Sequence, residues 1–302
     1  MHIYNNNINK KRNVYYIMFI TGEKLQNLCE YYIGYTHDFN FNPYIRNQTS
    51  KHIHINNYNI EHISNLEIKN IFCYTHIINN ESDNQNLINI LSNINTTFNL
   101  VLHNSDGYFS NSHIILLNIP NLQKIYTQNL SIDPTEQIIP LPIGIANSMW
   151  KHGNLNIWNE TLLNHNFNKK MNFIYFNFNI NTNLTKRQEC YNIIKSKNIQ
   201  NQPNLDYSSY VRLLSSYKFA ICPEGNGQDT HRFWECLYLQ VIPICVKNNI
   251  TEYFSKYFPI VLVDNYNQLD ITTLDNVFTR ADWHNYHMLD FKYYQEFILQ
   301  NE

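Results

Sequence analysis

The run Phe219-Ala220-Ile221-Cys222-Pro223-Glu224-Gly225-Asn226-Gly227-Gln228-Asp229-Thr230-His231-Arg232-Phe233-Trp234-Glu235 holds, in one stretch, side chains suited to a phosphorylated ligand. An apolar strand, Phe219–Cys222, leads into a Gly-containing turn, and a helix over Thr230–Leu239 follows. Gly225 and Gly227 let backbone approach a ligand closely. Asp229 or Thr230 can cap the helix, whose first-turn N–H groups then form an anion site. Arg232 adds a planar donor fork matched to a diphosphate. Glu235, three residues on and on the same face, offers a carboxylate to both hydroxyls of a ribose. Phosphate donors beside a diol acceptor describe a nucleoside diphosphate. The plainer alternative is a surface Arg–Glu pair at i, i+3 on a common strand-to-helix turn.

A second group lies upstream. His103-Asn104-Ser105-Asp106-Gly107 follows the apolar run Phe98–His103 and supplies an imidazole and a carboxylate, the two types able to take a proton from a hydroxyl. Asp106 is the expected base and His103 its supporting residue; Asn-Ser-Asp-Gly is also ordinary turn chemistry. Asn147 follows a Pro-rich stretch, where it can touch a ligand or simply shape a hinge. Arginine is scarce, yet Arg187, Arg212 and Arg232 all fall in the second half, and Arg187 begins a helix just after a strand.

The elements that must place these groups alternate. Before residue 134 the pattern predicts strands over Val14–Ile20, Ile71–Thr75, Phe98–His103 and Ile125–Thr127, with helices after Gly22 and over Ser82–Asn93. Phe39–Asn59 has neither period and reads as an irregular insertion. Pro134, Pro140, Pro142, Gly144 and Gly153 read as a linker. Beyond it, strands are predicted over Asn172–Phe178, Phe219–Cys222, Val241–Val246 and Ile260–Val263. Helices fall over Thr185–Ser196, Tyr207–Tyr217 and Thr230–Leu239, with a last one over Asn285–Gln300. Such alternation predicts an α/β protein of two doubly wound, Rossmann-like domains with a cleft between them. Ligands in such sheets bind outside the carboxyl ends of the strands, where both chemical groups lie.

The run from Cys222 to Cys245, C-P-E-G-N-G-Q-D-T-H-R-F-W-E-C-L-Y-L-Q-V-I-P-I-C, resembles the donor-binding signature of exostosin-like glycosyltransferases. Arg232, Glu235 and Ile242-Pro243-Ile244 match that signature, and the segment is also similar to its counterpart in alpha-1,3-fucosyltransferases. Leu102–Asp106 and Leu141–Ser148 look like segments of related transferases in large DNA viruses. The departure is Gln240, where those families usually carry Gly. The resemblance implies a GT-B fold: an acceptor-side domain over 1–165, a nucleotide-sugar domain over 166–282, and a helix over 283–302 crossing back to the first. It implies transfer of a sugar from a nucleotide-diphosphate sugar to a hydroxyl of a glycan or glycoprotein. The expected donor-binding residues are Arg187, Glu224, Gly225, Asn226, Gly227, Asp229, Thr230, His231, Arg232 and Glu235; the expected catalytic residues are Asp106 and His103. No D-x-D triplet occurs, so an inverting, metal-independent reaction without a cofactor is expected. A non-catalytic nucleotide- or glycan-binding module on the same fold is the rival reading.

Composition narrows the field. The chain has 302 residues and a formal net charge of -2, too weak a field to hold nucleic acid non-specifically. Asn is the commonest residue and is spread throughout, as AT-rich coding would produce, so N-x-S/T triplets arise by chance and do not argue secretion. The six cysteines form no C-x-x-C pair and read as buried free thiols; the thirteen histidines show no ligand spacing. Val14–Ile20 is far short of the ~20 residues of a membrane helix, and no signal-peptide cleavage site is read beside it. A soluble, cytoplasmic protein is expected, in the host cytoplasm if the source is viral.

Overall fold

The computed structural model describes residues 17–164 and 169–299. Two parallel sheets organise them. The first contains β1 (Tyr31–Gly34), β2 (His52–His54), β3 (Asn70–Tyr74), β4 (Phe98–His103), β5 (Leu122–Thr127) and β6 (Ile138–Pro140), in the order β2-β1-β3-β4-β5-β6. The second contains β7 (Asn172–Tyr175), β8 (Tyr217–Ile221), β9 (Ile242–Val246) and β10 (Val261–Val263), in the order β10-β9-β8-β7. All pairings are parallel, as β4 on β3 with Val101 opposite Phe72. The protein is therefore α/β and Rossmann-like.

Central strands β3 and β4 are buried at every position, so they read as unbroken apolar runs rather than alternating ones. Helix α1 (Gly22–Gln26) precedes β1, and α2 (Thr36–Phe39) and α3 (Ile60–Ser64) flank β2. Between β3 and β4, α4 (Glu81–Ser92) buries Leu87, Ile90 and Leu91 and is capped by Asn80, whose side chain accepts from Asp83 N. After α5 (Leu155–Asn164), the second sheet carries α6 (Leu184–Ser196) and α7 (Tyr207–Ser215) between β7 and β8, α8 (His231–Tyr238) before β9, and α9 (Asn249–Ser255) before β10. Ile174, Phe176, Phe219, Ile221, Ile242 and Ile244 face α6 and α10 (Leu274–Thr279). Tyr175, Ala220 and Cys245 face the opposite way, toward α7, α8 and α9. That second face is continuous with the core of the first sheet.

Four expectations change. The expected strand Val14–Ile20 lies partly outside the described residues, and Ile17–Ile20 joins no sheet. Its backbone bonds scatter instead: Phe291 N donates to Met18 O at 2.7 Å, Tyr238 supplies the hydroxyl for Ile20 N at 2.9 Å, and Ile145 N reaches Ile20 O at 2.8 Å. The supposed insertion Phe39–Asn59 contains β2, and the supposed linker contributes β6, an edge strand whose final Pro140 has no N–H to lose. The last helix begins later than expected, α11 covering Phe291–Leu299 after a 3-10 turn over His284–Leu289. It lies against the first sheet, where the Tyr126 and Phe297 rings are 5.6 Å apart. The expected boundary at 165/166 lies outside the described residues.

Candidate functional site

The Gly-containing turn leaves the carboxyl end of β8 and enters α8, as the sequence predicts. Gly225 N donates to Gly227 O at 3.1 Å. A Cβ on Gly225 would come within 3.2 Å of Arg187 Nη2, and one on Gly227 within 2.5 Å of Asn129 Nδ2. Gly227 therefore lets the turn press against the first half of the chain. Arg187, on α6, donates from Nε to Glu224 O and from Nη1 to Asn179 O, both at 2.8 Å. Arg232 donates from Nη1 to Asn177 O and lies over the Tyr210 and Tyr175 rings at 4.8 and 5.4 Å. Burial, then the neighbouring Arg232, pulls Arg187 below its ordinary pKa. Burial also opposes the charge of Arg232, but Tyr210 and Glu235 outweigh it and hold its pKa above the ordinary value. Glu224 does not neutralise this pair, because its carboxylate is taken by Lys186 and Asn248.

Glu235 does not present an open diol acceptor. Only 4 % exposed, it accepts from Tyr207 OH at 2.8 Å and Tyr210 OH at 2.5 Å, one on each oxygen, with Arg232 Nε at 3.9 Å. The ribose role assigned to it is thus replaced by a network pinning α8 to α7. Asp229 likewise does not serve as the helix cap. Thr230 occupies the cap position without a side-chain bond. Buried Asp229 accepts from Trp234 Nε1 and from Ile143 N, both at 2.7 Å, while its own N–H donates to Asn129 Oδ1. Burial pushes its carboxyl up to about 7, against the pull of Ile143 N–H and the Trp234 indole. His231 turns toward the first half, with Nδ1 2.8 Å from Gly144 O, and burial lowers its pKa. The turn thus joins the two halves of the chain.

Opposite the turn, a cavity of about 410 Å³ opens at the carboxyl ends of the first-sheet strands. Strand order reverses between β1 and β3, the place where ligands enter such sheets. Asp106 and His231 both line it, and exposed Asp106 accepts from Asn226 Nδ2 at 2.9 Å across the cleft. His103 lies beneath, 1 % exposed, with Nδ1 3.0 Å from Asn104 Oδ1 and Nε2 3.1 Å from Pro142 O. Burial brings its pKa down to about 4, making it a neutral prop. Asn147 touches this site: its Oδ1 accepts from Glu23 N and its Nδ2 lies 3.4 Å from Asn104 Oδ1.

Several lining residues escape sequence reasoning. Gln26 accepts from both Asn42 and Asn104, at 2.8 and 2.9 Å, and donates to Tyr74 OH at 2.9 Å. Half-buried His76, at the end of β3, has Nε2 3.4 Å from Oδ2 of buried Asp38, whose other oxygen is 3.5 Å from His37. No spacing rule links residues 38 and 76; only the adjacency of β1 and β3 does. Among the described residues, no group of three or more His, Cys, Asp or Glu is arranged for a metal ion, and no helix is long and apolar enough to cross a membrane.

Fold and site together define a two-sheet α/β protein with a cationic turn facing a polar cavity. In comparison with known proteins, no family model matches the chain and no curated protein matches it.

Proposed function

We propose that this chain is a glycosyltransferase with a GT-B arrangement, moving a sugar from a nucleotide-diphosphate sugar to a glycan hydroxyl. The carrying observation is the pair Arg187 and Arg232 at the strand ends, with Glu235 the one carboxylate within ion-pair distance of either guanidinium among the described residues. Two guanidiniums that raise each other's cost in a half-buried site are compensated by a multiply charged anion. A diphosphate at this turn places the transferred sugar toward the cavity that Asp106 and His231 share. The arginines and the start of α8 stabilise the departing diphosphate, with no divalent ion required.

Asp106 takes the acceptor proton in this reading, and ligand entry displaces its bond to Asn226. A second base, His76, is favoured by one observation: buried Asp38 orients it at the sheet's switch point. The test is release of nucleoside diphosphate from a panel of nucleotide sugars, with and without glycan acceptors. Release that survives EDTA and falls in Arg187→Ala and Arg232→Ala supports the proposal. Nucleotide binding without release under any acceptor favours the binding module; no nucleotide binding at all overturns the donor site.

A further inference from the structure

The cavity of the first sheet carries its own chemical signature. Its side-chain amides are neutral groups that both donate and accept, the same dual capacity a sugar hydroxyl has. Asn104 and Asn147 are partly exposed at the opening. Gln26 holds Asn104 from below, and Gln128 Oε1 accepts from Asn104 N at 3.0 Å, so these groups are fixed before any ligand arrives. Asn104 itself has φ 62°, a left-handed backbone that turns its side chain at the end of β4. Gly22 makes room for it, since a Cβ there would lie 1.7 Å from Asn104 Oδ1.

The rim is aromatic. Trp150 is 52 % exposed and Phe41 50 % exposed, and both line the cavity. Large rings left half in water over a polar floor suit a ligand with both an apolar face and a polar edge, which is the shape of a pyranose ring. Charge then selects among sugars. The described lining residues include Asp38 and Asp106 but no Lys or Arg, whereas Arg187 and Arg232 lie across the cleft. An anionic ligand would meet two carboxylates here with no Lys or Arg in the lining to offset them.

We propose that this cavity binds an uncharged pyranoside, with Trp150 and Phe41 as its stacking platform and Asn147, held in place by Asn104, reading its hydroxyls. The inference rests on the glycosyltransferase reading only for the name acceptor; the binding itself is independent of transfer.

The experiment uses the full chain in saturation-transfer NMR titrations with neutral methyl hexopyranosides and with hexuronates of the same stereochemistry. A nucleoside diphosphate is titrated in parallel. The neutral hexosides are expected to bind and the hexuronates to bind more weakly. Trp150→Ala is expected to weaken hexoside binding by roughly three- to tenfold, with Trp150→Phe recovering most of it. Because Trp150 is exposed, its removal leaves the fold intact, and Phe41→Ala provides a second probe. Absence of hexoside binding, hexuronate binding of equal strength, or unchanged affinity in both alanine variants overturns the inference. Nucleotide binding without hexoside binding defeats it alone; hexoside binding without nucleotide binding defeats the donor reading alone.

Discussion

One peptide unit ties the two halves together, and it makes stability respond to pH in an unusual way. Pro142 O lies 3.1 Å from His103 Nε2, while Ile143 N of the same peptide donates to Asp229 Oδ2 at 2.7 Å. Burial moves both flanking groups toward their neutral forms: His103 down from 6.5 to about 4, Asp229 up from 3.8 to about 7. Folded His103 sheds its proton early, so its contribution is present above pH 6.5 and is lost as pH falls through 4. Folded Asp229 keeps its proton late, so its contribution is present below pH 3.8 and is lost as pH rises through 7. At about 1.4 kcal/mol per tenfold change in proton affinity, each is worth ~3–5 kcal/mol across its window, Asp229 the more. Between pH 4 and 6.5 the two slopes oppose each other, and they cancel in the intact protein.

Removing either group uncovers the other. His103→Gln should lose stability as pH rises from 4.5 to 6.5, by ~2–3 kcal/mol relative to the parent. Asp229→Asn should gain about as much over the same range, from a lower starting point because its amide N–H₂ replaces one accepting oxygen and faces the donor there. Urea midpoints at several pH values read this directly, since groups common to all three proteins drop out of the differences. Three parallel stability–pH curves would refute the reasoning.

Other consequences are as specific. Arg187→Ala and Arg232→Ala should each weaken nucleoside diphosphate binding by about ten- to a hundredfold, measured by calorimetry. Glu235→Ala should destabilise by ~3 kcal/mol or more, because Arg232 and two tyrosine hydroxyls lose their shared acceptor, and the loss from a 2'-deoxy nucleotide should be unchanged in it. Gln240→Gly should raise the urea midpoint by the equivalent of ~0.5–1 kcal/mol, since Gln240 has φ 50° at the end of α8. Asp106→Asn should lower turnover by roughly 10² while preserving nucleotide affinity, and His76→Gln should do so instead if the imidazole takes the proton.

What could be read in the sequence depended on how local the cause was. β4, α4 and the β8-turn-α8 unit announce themselves through runs and caps complete within a few residues. Gln240 was also visible, as a Gln where a Gly is expected, and the structure supplies the reason. Val241 N bonds Cys236 O at 2.8 Å and Gln240 N bonds Leu237 O at 3.0 Å, a helix ending that requires a left-handed residue between them. Strands β1 and β2 escaped because four and three residues leave no period to detect. The pairing of Asp38 with His76 escaped because only the sheet order brings them together. Glu235 misled because spacing along a helix gives the face but not the neighbour. Tyr207 and Tyr210 arrive from another helix and occupy both oxygens.

The same abundance of Asn that blurs the sequence does structural work at the cleft. Among the described residues, four of the five non-Gly residues with positive φ are Asn104, Asn121, Asn129 and Asn198. Asn tolerates that backbone better than other side chains, and its short amide then bonds locally. Asn104 thereby shapes the cavity, and Asn129 receives the Asp229 N–H that seats the opposing turn. Neither position needs the conformational freedom of Gly, and each gains a polar group that Gly lacks. In a chain with only seven glycines, asparagine fills turn positions that glycine often takes elsewhere. Two of the bonds joining the sides of the cleft use asparagine amides, Asn129 accepting from Asp229 N and Asn226 donating to Asp106. Asparagine also sets neutral amides beside Asp38 and Asp106 in the cavity, while the guanidiniums remain with the turn.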